Sequence, residues 1–439
     1  MKSKERDLLR LAVPNMLSNL TVPLAGLIDT ALLGHLDEIV YLAGVALGSI
    51  LFDFLYWLFG FFRMSTTGLT AQALGRGDKQ DLTIIPVRTL LLALTIGCII
   101  LLLSQPISVF GFGILDGTPD VIQQGKHYFS ARIWGAPVVL MNFSILGWLL
   151  GMGKGKRILT LSVVANGSNI ILDYLFIFKF GWGSKGAGYA TMISQYVMFA
   201  FGMAYALPHI MANKKVISWR RLFNKDELRK MLSLNRDIFI RTLTLIASFS
   251  YFTNASSAMG TLILAANTIL LKVISISSYF IDGLAYAVES LAGRHKGAGE
   301  TRQLHSTIQT ALLSSAGIAV FFSALFILMP QPLFKLLTNQ TEVLAELFRH
   351  RFWLLPVMLL GSSAYIWDGI FLGLSEGKIL RNCMLFSALV FYFPLALLSS
   401  NMKNVDLLWL SISLFMAART ITLWIHYQKR KILKGHSIV

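Results

Sequence analysis

The sequence predicts an all-α integral membrane protein with about twelve transmembrane helices in two parallel six-helix lobes. Three observations predict it: an apolar composition, a regular succession of bilayer-length apolar runs, and basic residues gathered in every second loop. Of 439 residues, 55% are hydrophobic and 14% are charged, and the mean hydropathy of +0.63 lies outside the range of soluble globular domains. About 20 apolar residues cross a hydrocarbon core of roughly 30 Å. Such runs recur at 8–34, 42–69, 84–110, 122–151, 157–180, 186–208, 230–257, 262–292, 306–330, 341–374, 379–399 and 406–427. Little chain is left for a soluble domain.

A net charge of +17 raises the question of nucleic acid, and the placement of the charge answers it. Lys2, Lys4 and Arg6 precede the first run, Arg10 lies in its first turn, and Lys154, Lys156 and Arg157 follow the fourth. Lys214, Lys215, Arg220 and Arg221 follow the sixth, Arg294, Lys296 and Arg302 the eighth, and Lys429, Arg430 and Lys431 the last. The alternate loops hold only scattered cations. This is the positive-inside pattern, with an even number of spans and both termini cytoplasmic. Orientation accounts for the charge, so no nucleic-acid partner is expected; an anionic-lipid role for the basic central loop is the lesser alternative. The basic N-terminus runs into an apolar stretch too long for a signal peptide and is read as the retained first span. Cys98 and Cys383 both fall inside spans, which suggests neither a disulfide framework nor a metal pair.

An internal repeat organises the spans. "LLGMGKGKRILTL" (149–161) and "FLGLSEGKILRNC" (371–383) share Gly151/Gly373, Gly155/Gly377 and Lys156/Lys378 at a constant offset of about 222 residues. The same offset lays "AQALGRGD" over "GRHKGAGE". The chain is therefore read as an N-terminal six-helix lobe at 1–208, a basic cytoplasmic linker at 209–229 and a C-terminal lobe at 230–439. Six is even, so both lobes share one orientation, and parallel halves suit alternating access.

Charges inside the spans are the functional signal, because a carboxylate at the bilayer centre costs about 2.5 to 3.5 kcal/mol on insertion scales. In "NIILDYLFIF" (169–178), Asp173 interrupts an otherwise apolar helix, and Asn166, Asn169 and Asp173 at i, i+3 and i+7 share one helical face. Asp29 sits in the first span and Thr191 in the sixth. Converging, these groups offer hard oxygen ligands for a small cation such as Na+, or two acids that share a proton near neutral pH. The offset places Ala388, Phe391 and Leu395 opposite the α-face triad, so the polar cluster is not required to build a six-helix bundle. The competing reading is a buried interhelical hydrogen-bond network. In the second half Lys272, Asp282, Glu289 and Asp368 form either a salt-bridged structural network or part of a substrate or proton path. Arg241 and Arg419 lie nearer span ends, where snorkelling explains them. Pro14 and Pro23 occupy the span that carries Asp29 and can bend it or fix a static kink.

Other chemistry is excluded. "GLSEGKI" (373–379) resembles a phosphate-binding loop but is one residue short before Gly377 and has Ile379 where a Ser or Thr would hold Mg²⁺. The eight histidines show no metal-ligand spacing. No convergent nucleophile set supports an integral-membrane enzyme, and no cofactor is expected. Trp134, Trp148, Phe143 and Tyr365 are candidates to line a cavity for flat apolar molecules.

"AVPNMLSNLTVPLAGLIDTALLGHL", "TTGLTAQALGRGD", "NIILDYLFIF" and "IDGLAYAVESLAGRHKGAG" resemble the multidrug and toxic-compound extrusion (MATE) family, specifically its DinF-like branch, over essentially the full length. The resemblance implies a V-shaped pair of lobes and export of amphipathic organic compounds, often cationic or aromatic, driven by H+ or Na+. It also implies a monomer in the bacterial cytoplasmic membrane, with small organic molecules and the bilayer as partners. On this resemblance Asp29, Asn169, Asp173 and Thr191 match the family's cation site, and Pro14 its bending proline. A lipid-linked oligosaccharide flippase is the alternative within the wider superfamily; it calls for a cavity rich in Arg and Lys.

Overall fold

A computed structural model describes residues 3–36 and 38–435. Helices α1 (Ser3–Gly34), α2 (Ile39–Leu58), α3 (Phe61–Arg76), α4 (Lys79–Leu102), α5 (Ser104–Ile114), α6 (Pro119–Arg132), α7 (Ala136–Gly151), α8 (Gly155–Asp173), α9 (Gly183–Ala212) and α10 (Trp219–Leu222) form the first half of the chain. The second half holds α11 (Lys225–Ala258), α12 (Thr261–Ala298), α13 (Thr301–Leu328), α14 (Pro330–Lys335), α15 (Thr341–His350), α16 (Leu354–Gly373), α17 (Gly377–Phe386), α18 (Phe393–Met402) and α19 (Val405–Gly435). No strand occurs among the described residues. Among the described residues, eleven helical stretches are long and apolar enough to cross a membrane. The twelfth expected span, 230–257, is α11, whose 34 residues are ample in length but carry Arg236, Asp237 and Arg241 in place of an unbroken apolar run.

Two compact units divide the chain: Leu17–Met231, and Met1–Met16 with Leu232–Val439. In the first, α3 and α4 pack on α7, α2 packs on α6, and α9 runs along α6, α7 and α8. In the second, α12 and α13 pack on α16, and α19 lies against α16, α17 and α18. Helix α1 belongs to both. Met16 lies so close to α12 that a Cβ on Gly283 would sit 2.7 Å from the Met16 nitrogen. Two residues on, Ser18 Oγ meets Ser162 Oγ of α8 at 2.5 Å, and Asn166 Nδ2 donates to Thr21 Oγ1 at 2.7 Å. The change of partner falls just beyond Pro14.

The 222-residue repeat is written into the packing of each unit. Gly147 and Gly151 of α7 press against the carbonyls of Arg63 and Thr67 on α3. Gly369 and Gly373 of α16 press in the same way against the carbonyls of Ala285 and Glu289 on α12. Every residue of the second set lies 222 positions after its counterpart. A Cβ on Gly151 would stand 2.7 Å from Thr67 O, one on Gly369 would stand 2.6 Å from Ala285 O, and one on Gly373 would collide with Glu289 O. Only glycine lets the backbones approach this closely. The repeat also explains the false phosphate loop. Residues 374–376 are the turn between α16 and α17, matching 152–154, and Ser375 takes the left-handed φ of 54° where Gly153 takes 70°. Lys296 Nζ donates to Leu374 O at 2.5 Å, which fastens this turn to α12.

Gly373→Ala is expected to destabilise the protein by about 1 to 3 kcal/mol through overpacking. Gly167→Ala, with nothing within 4 Å of the added Cβ, should be neutral or slightly stabilising. Thermal unfolding of the two purified variants in detergent checks the difference.

Candidate functional site

The site grows from α8. Its sequence is helical through Asp173, after which the chain widens: Phe180 N bonds to Leu175 O at 3.0 Å, five residues back, in the wide-turn segment Tyr174–Lys179. Such turns free a carbonyl and re-aim the side chains beside them. Asp173 stands at the last position before this change and is 1% exposed.

Asn169, 7% exposed, donates Nδ2 to Asp173 Oδ2 at 2.7 Å along the same helix. From α1, the half-buried Asp29 brings its carboxyl within hydrogen-bonding reach of the Asp173 carboxyl. Oδ1 of each acid is buried, and no N–H or O–H of another described residue reaches it. The first unit thus holds two acids face to face, one of them pinned by a carboxamide.

The other residues expected in the cluster take separate places. Asn166 bonds to Thr21 of α1 and not to an acid. Thr191, on the helix that packs along α8, donates to Ala187 O at 2.9 Å and keeps its lone pairs free of that bond. Pro14 lies within α1, fifteen residues before Asp29. Trp148 is a core residue, 2% exposed, donating Nε1 to Leu82 O at 3.2 Å.

One cation in this unit was not singled out from the sequence. Arg132 of α6 donates Nη1 to Tyr128 Oη at 2.6 Å and lies over the rings of Phe52, Tyr128 and Tyr56 at 4.5, 5.5 and 5.8 Å from their centroids. Its charge acts on Asp29 and is itself acted on by Asp53. The available signal was a lone arginine well inside the span 122–151, four residues from a tyrosine.

The second unit handles its buried acid differently. Asp368 of α16, 4% exposed, accepts from Arg419 Nη2 at 2.6 Å and from Arg241 Nη2 on the same oxygen. Arg241 and Arg419 are 7% and 1% exposed, so neither snorkels; both are bound inside the unit. The wide spacing of residues 241, 368 and 419 along the chain hid this triad. Lys272 is exposed and lies about 15 Å along the axis of α12 from Asp282, too far for a salt bridge between the two. Glu289 is 1% exposed, and Asp282 lies near Tyr365.

An all-helical fold of bilayer-length segments, built from two related halves with ionisable groups held inside, defines a multi-pass membrane protein of the transporter class. The MatE family model matches residues 14–175 and residues 238–398, and the chain belongs to that family, whose members are transporters and not enzymes. It is 36% identical over 428 residues to DNA damage-inducible protein F of Escherichia coli (strain K12), covering 96% of this chain and 92% of that protein. It is 26% identical over 369 residues to a probable multidrug resistance protein NorM of Thermotoga maritima, covering 81% and 76%. A solved structure described as a MATE in the bent conformation matches with a TM-score of 0.89 over 99% of this chain and 97% of that one, at 21% identity; this likeness is one of fold.

Asp368→Asn is expected to destabilise the protein by about 3 to 5 kcal/mol, because it leaves two buried guanidinium groups uncompensated. Asp173→Asn removes an acid from an acid pair and should be tolerated. Heat-induced loss of the monodisperse peak on size exclusion measures both.

Proposed function

We propose that the chain is a secondary active exporter that moves amphipathic organic molecules, often cationic or aromatic, out of the cytoplasm in exchange for inward-moving protons. The contact between the Asp29 and Asp173 carboxyls carries this reading. Two ionised carboxylates in a low-dielectric surrounding repel strongly. One proton between them turns that repulsion into a hydrogen bond. A proton taken up more tightly in one conformation than in another shifts the balance between the two, which is the requirement for coupling.

The roles follow from position. Asn169 fixes the Asp173 carboxylate, and Asp29 carries the second acid on α1, the helix whose partners change near Pro14. Binding and loss of the shared proton then bias how α1 lies against α8, with Pro14 as the weak point of the helix. Na+ is the competing ion: Asp29, Asp173, the Asn169 carboxamide and the Thr191 hydroxyl are the oxygens that would hold it. Asn166 positions α1 through Thr21 and is not a ligand in this reading. Asp368 is neutralised by two arginines and is structural; Asp282 and Glu289 of α12 are proposed to belong to a substrate or proton path.

The relatives named as multidrug resistance proteins support the cargo class, and the basic alternate loops support a bacterial cytoplasmic-membrane location with both termini inside. The chain is proposed to act as a monomer with no cofactor.

The test is efflux of a fluorescent organic cation from proteoliposomes. Under a pH gradient without Na+, wild type is expected to transport, whereas Asp29→Asn and Asp173→Asn fall to the protein-free background while remaining inserted and folded. Transport only under a Na+ gradient at equal pH would replace the proton by Na+ at the same residues. Normal efflux by the Asp173→Asn variant would sink the site assignment, and no efflux of the cation under either gradient would favour the flippase.

A further inference from the structure

The basic stretch that joins α9 to α11 is built as a rigid hook. Arg88 of α4, 9% exposed, donates Nε to Leu222 O at 3.1 Å and Nη2 to Arg221 O at 2.7 Å. It thereby caps the C-terminal end of α10, where Arg221 O also accepts from Asn224 N at 3.4 Å. Arg221 Nη1 in turn donates to Gln80 Oε1 at 2.6 Å, and Leu222 is buried at 7% exposure. A tether needed only to connect two helices has no use for a buried arginine clamp.

The clamp leaves two aromatic rings facing outward. Trp219 is 76% and Phe223 53% exposed, and the two, four residues apart, stack at 5.4 Å between centroids with planes 10° apart. The exposed cations Lys214, Lys215, Arg220 and Lys225 flank them in the chain. Along the chain the nearest carboxylates, Asp226 and Glu227, open α11, where Glu227 pairs with Lys230 at 3.1 Å; in space Asp78 and Asp81 flank Gln80, the partner of Arg221, and Asp81 pairs with Arg76 at 2.9 Å. The candidate span Gly183–Ala212 ends immediately before this stretch, so the hook lies where a bilayer meets water. Aromatic rings favour the headgroup boundary, and cations there are drawn to anionic lipid.

We propose that the α10 hook is a binding site for the anionic phospholipid headgroups of the surrounding membrane, with Trp219 and Phe223 seated at the headgroup boundary and Lys214, Lys215 and Arg220 on the phosphates. Holding the hook rigid through Arg88 means that little ordering remains to be done on binding. This site is independent of the coupling reading, since it shares none of its residues.

The experiment reconstitutes the full-length protein in phosphatidylcholine vesicles containing either brominated phosphatidylglycerol or brominated phosphatidylcholine. The Trp219 signal is the fluorescence lost in Trp219→Phe. Brominated phosphatidylglycerol is expected to quench that signal with at least tenfold preference over the neutral lipid, weakening in high salt. Lys214→Gln, Lys215→Gln and Arg220→Gln together should bring the preference close to parity, at about fivefold per cation. Arg88→Met should lower it with every hook cation in place. Equal quenching by the two lipids, no quenching by either, or an unchanged preference in the triple variant would overturn the proposal. If the triple variant does not fold, the salt dependence of the wild-type preference decides.

Discussion

A carboxyl group inside a membrane protein must be neutralised by a proton, a cation or a partner of opposite charge, and the rest of this molecule is arranged around that constraint. The two units answer it in opposite ways. Asp368 is held by Arg419 at 2.6 Å and by Arg241, a closed arrangement in which the protein supplies its own cations. Asp29 and Asp173 are held by each other, with one oxygen of each reached by no other donor. A carboxylate that carries its own arginines has little call for an ion from solution. A pair of acids does, because neither can neutralise the other without one.

The scaffold makes this difference possible. Glycines 222 residues apart lock α7 onto α3 and α16 onto α12 with the same close backbone approach, so the two units are built on equivalent helix pairs. On that frame, Asp173 sits at the end of a regular helix where the turn widens. Asp29 arrives on α1, whose first residues group with the second unit and whose remainder groups with the first. One acid is on α8, the other on a helix whose residues fall in both units and that carries Pro14.

Much of this was legible in the sequence, for physical reasons that can be named. Bilayer-length apolar runs and the alternating basic loops report the fold because hydrocarbon leaves so few options for a polypeptide backbone. The glycine offset was readable because close packing admits no other residue at Gly151 and Gly373. Asp173 and Asn169 were readable because i, i+4 neighbours on a helix must meet. The arginine triad was not, since nothing in the local sequence of Arg241, Asp368 and Arg419 tells that three distant helices bring them together, and end-of-span positions suggested snorkelling instead. Arg132 was missed for a related reason: its partners Phe52 and Tyr56 lie on another helix. Asn166 shared the expected face with Asp173 but turned to Thr21, because face sharing fixes direction and not partner.

The central claim is that the Asp29–Asp173 pair holds a proton, and infrared spectroscopy of the reconstituted protein with ¹³C-labelled aspartate tests it directly. The account predicts a protonated-carboxyl C=O band at neutral pH, shifted by the label and lost in both Asp29→Asn and Asp173→Asn. A spectrum with only ionised aspartate at neutral pH, or a protonated band that survives both substitutions, would contradict it.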